Sequence, residues 1–208
     1  MTDALLRACR PRVLPVATVS DPGLAAPLAA ALAAGGATAI EVTFRTQAAP
    51  RVIAALADSE LVVGAGTIRS VAQVDEALAA GAQFVVSPAL DDAVVARCLD
   101  ASVPVVPGIG TATELSRALA LGVQTVKLFP AEPLGGAALI AALAPPFPEA
   151  RFIPTGGLGM HNAADYLQLP QVLAIGGSWM VASKLLDARD WDTVTRLTAE
   201  AIALGAQT

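Results

Sequence analysis

A helix end, a glycine and a short apolar strand recur in one order at three places: ALAAGGATAIEV at 31–42, ALAAGAQFVV at 77–86 and ALALGVQTVKL at 118–128. A repeated helix-to-strand joint predicts a repeated supersecondary unit, because the glycine stops one helix and the β-branched run that follows favours extended chain. The same alternation runs through the rest of the sequence. After a short amphipathic start, which predicts an N-terminal helix, strands are expected at 13–18, 38–43, 61–65, 83–86, 104–106, 124–128, 151–154 and 172–175. Helices are expected up to Ala34, at 48–57, 71–80 and 92–100, up to Leu121, at 136–144 and 160–167, from Trp179, and at 192–204. Asp21 and Pro22 open the first of these, which Pro27 delays or bends. Ser70 with Gln73 and Thr111 with Glu114 have capping-box spacing.

Short strands alternating with helices imply parallel pairing through right-handed crossovers. Eight such units most naturally close into a (β/α)8 TIM barrel, here a compact one with short loops. A doubly wound open sheet is the alternative, but no GxGxxG fingerprint follows the first strand. With 208 residues, a single domain over 1–208 is expected. The apolar runs are too short for a membrane helix, which needs about 18 residues. The first residues lack a signal-peptide pattern, so the cytoplasm is the expected compartment. A net charge of -5 and 4% aromatics argue against nucleic-acid binding and leave small molecules as the expected ligands. Cys9 and Cys98 lack metal-ligand or redox spacing. Hydrophobic residues make up 55% of the chain, which suggests that part of its surface lies between subunits.

Against that background two charges stand out. Five residues beyond the glycine of each echo lie Glu41, Val86 and Lys127, so equivalent strand positions carry an acid and a base. Side chains alternate along a strand, so Glu41, Thr43 and Arg45 share one face, as do Thr125, Lys127 and Phe129. If the repeats are equivalent, Glu41 and Lys127 both point into the barrel. Lys127 sits between Val126 and Leu128, and a desolvated lysine in its neutral form is a nucleophile towards carbonyls. A structural ion pair is the alternative, although desolvation often outweighs the Coulombic gain of such a pair.

Other strand ends supply suitable parts. Thr67 follows Gly64, Ala65 and Gly66; Pro88 follows the fourth strand; Thr155, Gly156 and Gly157 follow the seventh; Gly176, Gly177 and Ser178 follow the eighth. Glycines after the last two strands of a barrel leave bare amides that can hold a phosphate, though a tight turn uses the same residues. His161, the one histidine, reads as a surface residue in a first helical turn, which removes a multi-histidine metal site. Glu114 and Glu132 read as capping or solvated carboxylates, Trp179 and Trp191 as core or interface anchors, and Lys184 as a solvated lysine.

The segments IEVTFRT at 40–46, GAGT at 64–67, SPA at 87–89, PGIGTATE at 107–114, KLFPAE at 127–132, PTGG at 154–157 and GGSW at 176–179 occur in order over nearly the whole chain. As a set they resemble the 2-keto-3-deoxy-6-phosphogluconate aldolase family, which includes 4-hydroxy-2-oxoglutarate aldolases. The resemblance implies a class I, metal-independent lyase that needs no cofactor and assembles as a homotrimer of (β/α)8 barrels. It implies that Lys127 forms the Schiff base and Glu41 shuttles protons, giving pyruvate and glyceraldehyde 3-phosphate. Arg45 and Thr67 match positions that hold the pyruvyl carboxylate, and Phe129 and Pro88 would wall the apolar side. Thr155 matches a discriminating position, and Gly156, Gly157, Gly176, Gly177 and Ser178 would take the phosphate. Ala89 and Phe44 depart from the usual glycine and leucine and are expected at the pocket rim. Two alternatives are an aldolase preferring unphosphorylated 4-hydroxy-2-oxo acids and a barrel that binds sugar phosphates without turnover.

Overall fold

The computed structural model describes residues 3–206. The N-terminal helix α1 (Asp3–Ala8) precedes β1 (Val13–Ala17), α2 (Ala25–Ala34), β2 (Ala39–Thr43), α3 (Ala49–Ala55), β3 (Val62–Gly66) and α4 (Val71–Ala79). Then come β4 (Phe84–Val86), α5 (Asp92–Asp100), β5 (Val105–Val106), β6 (Gly108–Ile109), α6 (Ala112–Ala120), β7 (Thr125–Leu128) and α7 (Gly136–Leu143). The rest is β8 (Arg151–Phe152), α8 (Ala163–Leu167), β9 (Ile175–Gly177), α9 (Ser183–Asp187) and α10 (Trp191–Ala206).

The fold is α/β, a curled parallel sheet with helices packed on its outer face. One run of the sheet is ordered β5-β4-β3-β2-β1-β9 and the other β6-β7-β8. Pro107 separates β5 from β6: the chain pairs with β4 through Val106 and with β7 from Gly108. Proline has no N–H to give a ladder, so the change of partner falls there, and its carbonyl still accepts from Lys127 N at 2.8 Å. Phe152 and Thr155 bridge in parallel to Val172 and Gly176.

Strand alternation sorts the buried residues into two layers. Ile40, Val42, Val63, Val85, Val126 and Leu128 face the helices, whereas Leu14, Ala39, Val62, Phe84, Val106 and Ile153 form a separate inner cluster. Leu5, Ala8 and Cys9 join that inner cluster, so α1 covers the amino-terminal end of the sheet. The strands carrying Glu41 and Lys127 therefore have outward neighbours on both sides of each charge, and both charges lie on the inner face.

Several boundaries differ from expectation for identifiable reasons. Asp21 caps a 3-10 turn, Pro22–Leu24, so α2 begins later, and Pro27 lies in its first turn where its missing N–H has no intrahelical role. The expected helix at 160–167 is confined to α8, because Asn162 accepts from Gly159 N at 2.9 Å and ties the preceding residues into a turn. His161 lies in that turn and is exposed. The last strand falls at β9, which begins three residues beyond Val172, in register with β1 through Val13 and Ile175. The chain from Trp179 begins as a 3-10 turn, not an α-helix.

Candidate active site

Glu41 and Lys127 come together. Their side chains approach to 3.3 Å between Oε1 and Nζ, and the residues are 1% and 5% exposed. Burial this deep strips both groups of water, a loss of several kcal/mol per ion that attraction between the two must offset. Space for the carboxylate comes from Gly66, where a Cβ would collide with it. One strand further, the ring of Phe84 lies over Gly64, which needs the same lack of a side chain. The GAG run of β3 thus serves two neighbours. The Phe129 ring centre lies 5.3 Å from Lys127 Nζ, a cation–π distance.

A cavity of about 470 Å³ opens beside this pair, lined by Arg45, Phe129, Thr155, Gly156, Gly157, Gly176 and Ser178 among others. Seven of the residues expected from sequence therefore meet at one place. Gly156 and Gly157 have φ of +101° and +84°, left-handed values that a side chain would strain, so the turn after β8 requires glycine. Thr67 also has a positive φ, +61°, unusual for a β-branched residue and a mark of a constrained site. Thr67 and Pro88 are half-buried and lie outside the lining of this cavity. Gly177 also lies outside the lining, because the Trp179 ring packs where its Cβ would stand.

Sequence reasoning missed Thr18, Trp179 and Ser183 as cavity residues. Thr18 is bonded to the buried Thr43 at 2.8 Å between hydroxyls, a pairing set by the β1–β2 register. The only sequence signal was a hydroxyl at a strand end. Thr155 Oγ1 and Trp179 Nε1 are buried and have no hydrogen-bond partner among the described residues, an uncommon condition for buried polar atoms. Phe44 packs against the helix-side core and not the pocket rim, because it is one residue out of phase with Glu41 and Arg45. Ala89 is exposed, and its carbonyl accepts from Ser87 Oγ at 2.8 Å.

Glu114 is the cap that its spacing predicts, accepting from Gly110 N and Thr111 Oγ1. Glu132 does more than face solvent: it accepts a hydrogen bond from the Tyr166 hydroxyl. Burial and then that carboxylate push the Tyr166 phenol above its ordinary range, so it stays a donor at neutral pH. Burial alone pushes the Cys9 thiol up to about 12, and Cys98 rises to about 11. A second, smaller cavity of about 300 Å³ lies at the amino-terminal end of the sheet between Leu5, Leu99 and Val123, away from the charge pair.

A buried amine against a carboxylate, inside a curled parallel sheet and next to a cavity, is the equipment of an enzyme that attacks carbonyls through lysine. The model of the KDPG and KHG aldolase family matches residues 3–197, and the chain belongs to that family. It is 49% identical over 197 residues to a 2-dehydro-3-deoxy-phosphogluconate aldolase of Treponema pallidum, covering 94% of each chain. It is 43% identical over 192 residues to a KHG/KDPG aldolase of Escherichia coli, covering 91% of this chain and 90% of the relative. The crystal structure of a KDPG aldolase from Legionella pneumophila, holding pyruvate as a covalent carbinolamine, superposes with a TM-score of 0.91 at 34% identity, over 97% of this chain and 98% of that one.

Proposed function

We propose that the chain is a class I aldolase that cleaves 2-keto-3-deoxy-6-phosphogluconate reversibly to pyruvate and glyceraldehyde 3-phosphate. The observation that carries this reading is the contact of 3.3 Å between Lys127 and Glu41 inside the sheet. A proton moved from Nζ to the carboxylate turns the ion pair into a neutral amine and a neutral acid, with no charge left to desolvate. The amine then adds to the substrate keto carbon, and the acid supplies the proton needed to expel that oxygen as water. The resulting protonated imine accepts the electron pair of the C3–C4 bond as it breaks, while the C4 hydroxyl loses its proton and becomes the aldehyde. Protonation of the enamine at C3 and hydrolysis return pyruvate and free Lys127.

Arg45 and Thr67 are assigned to the pyruvyl carboxylate, for which a guanidinium fork is suited. Phe129 and Pro88 wall the apolar side of the imine. The phosphate falls to Gly156, Gly157, Gly176, Gly177 and Ser178, and Thr155 to discrimination between substrates. Four of those five phosphate residues line the cavity, which supports the assignment. We assign the sheet as a closed (β/α)8 barrel in a single domain. In support, Leu173 N donates to Phe152 O at 3.0 Å and Gly176 N to Pro154 O at 2.8 Å, across the gap between its two runs. A homotrimer belongs to the same reading and rests on the family resemblance, and the cytoplasm is its proposed compartment.

The dual name of the Escherichia coli relative favours 4-hydroxy-2-oxoglutarate as a second substrate. Pyruvate release coupled to lactate dehydrogenase tests both. The expected result is turnover of each, a larger kcat/KM for the phosphorylated substrate, and a loss of at least about 10⁴-fold in Lys127→Ala. Binding of the phosphorylated substrate with no pyruvate released would leave a non-catalytic binding barrel in place of the aldolase.

A further inference from the structure

The turn at 155–157 forms one wall of the cavity, yet its glycines have no side chains with which to hold themselves in place. It is held from the neighbouring strand. Beyond the end of β7, Ala131 N donates to Thr155 O at 2.9 Å and Glu132 N to Gly156 O at 3.1 Å. Gly156 faces Pro130, whose Cα would stand 3.2 Å from a Cβ there. Gly157 faces the stem of Glu132, where a Cβ would come within 2.6 Å of Glu132 Cβ. The far end of Glu132 is fixed in turn by the Tyr166 hydroxyl. Tyr166 is 1% exposed on α8, the helix into which the turn leads. The turn is therefore clasped between the strand that carries Lys127 and the helix that follows the turn.

We infer that Glu132 and Tyr166 are positioning residues that fasten the 155–157 turn to the end of the Lys127 strand and so set the affinity for the phosphate-bearing end of the substrate. This rests on the proposed function, in which that turn takes the phosphate. An anion binds amides at less entropic expense when they are already in place, so loosening the clasp weakens binding of the phosphate and leaves chemistry at Lys127 untouched. A substrate without phosphate has no phosphate to place against the amides of Gly156 and Gly157.

The test compares 2-keto-3-deoxy-6-phosphogluconate with 4-hydroxy-2-oxoglutarate in wild type, Tyr166→Phe, Glu132→Ala and Glu132→Gln. Tyr166→Phe removes a single oxygen, and Glu132→Ala truncates a residue that is exposed as a whole. For both variants the KM of the phosphorylated substrate is expected to rise about tenfold or more, the scale of a lost charge-assisted hydrogen bond, with kcat and the KM of the other substrate within about threefold. Glu132→Gln, whose amide oxygen still accepts from the phenol, should stay within about threefold of wild type in all constants. An unchanged KM for both substrates, an equal rise for both, or a fall in kcat without a selective KM effect overturns the inference. If phenylalanine at 166 prevents folding, the same ratio in Glu132→Ala decides the matter. Reductive trapping of pyruvate on wild-type Lys127, run in parallel, separates failure of the clasp from failure of the aldolase reading.

Discussion

At the scale of single residues the site depends on what Gly66 lacks. Alanine at 66 would put a methyl group into the Glu41 carboxylate, and the carboxylate is the movable partner. Gly66→Ala is expected to lose about 3–5 kcal/mol of stability, a fall of roughly 6–20 °C in melting temperature, because it separates a buried ion pair, and kcat of the folded enzyme should fall about 10- to 100-fold as the 3.3 Å contact with Lys127 is lost. Wild-type kcat in Gly66→Ala would mean that Glu41 does not act from its observed position. The Glu41–Lys127 pair was legible because the same glycine-to-strand offset could be counted in two repeats. The role of Gly66 was not, since it depends on which strand lies beside β2. Thr18 was hidden for the same reason: its link to Thr43 follows from register, which alternation alone does not give. Glu132 looked like a surface carboxylate because its partner Tyr166 is 34 positions away.

At the scale of elements, local signals read well where they act locally. The boxes at Ser70 and Thr111 form, with Ser70 accepting from Gln73 N and Thr111 from Glu114 N, and α5 spans the expected residues. In both boxes the returning side chain reaches one residue further back, to Arg69 N or Gly110 N. Thr111→Ala removes the cap on α6 and should lower stability by about 1 kcal/mol, read as a fall of about 2–4 °C in melting temperature. No change would show that the exposed box contributes nothing to the folded state. Where the backbone departs from regular geometry the sequence was less informative. Nothing in PGIG marks Gly108–Ile109 as the continuation of a strand across a proline, because its pairing partner, β7, comes later in the chain. The helix expected from Met160 does not form over 160–162, because Asn162 uses its side chain to close a turn instead.

At the scale of the whole molecule, the inner layer divides the sheet into a packed amino-terminal end under α1 and an open carboxyl end that holds the charge pair. The packed end makes stability depend on alkaline pH. The Cys9 thiol is raised from 9.0 to about 12, so above pH 9.0 the unfolded chain loses that proton while the folded chain keeps it. Folded-state affinity for the proton is the greater, and stability therefore falls as pH rises from 9.0 towards 12, with Cys98 and Tyr166 acting in the same direction. Urea midpoints measured at pH 8 and pH 10 should drop at the higher pH in wild type and drop less in Cys9→Ala. Equal drops would place the Cys9 thiol in contact with solvent.

The central claim is that Lys127 becomes covalently joined to the keto carbon of its substrate, and borohydride reduction in the presence of pyruvate tests it most directly. Peptide mapping by mass spectrometry is predicted to find one reduced three-carbon adduct, on the peptide containing Lys127, absent without pyruvate and absent in Lys127→Ala. An unmodified Lys127 peptide in wild type, or an adduct on Lys184 instead, would contradict the account.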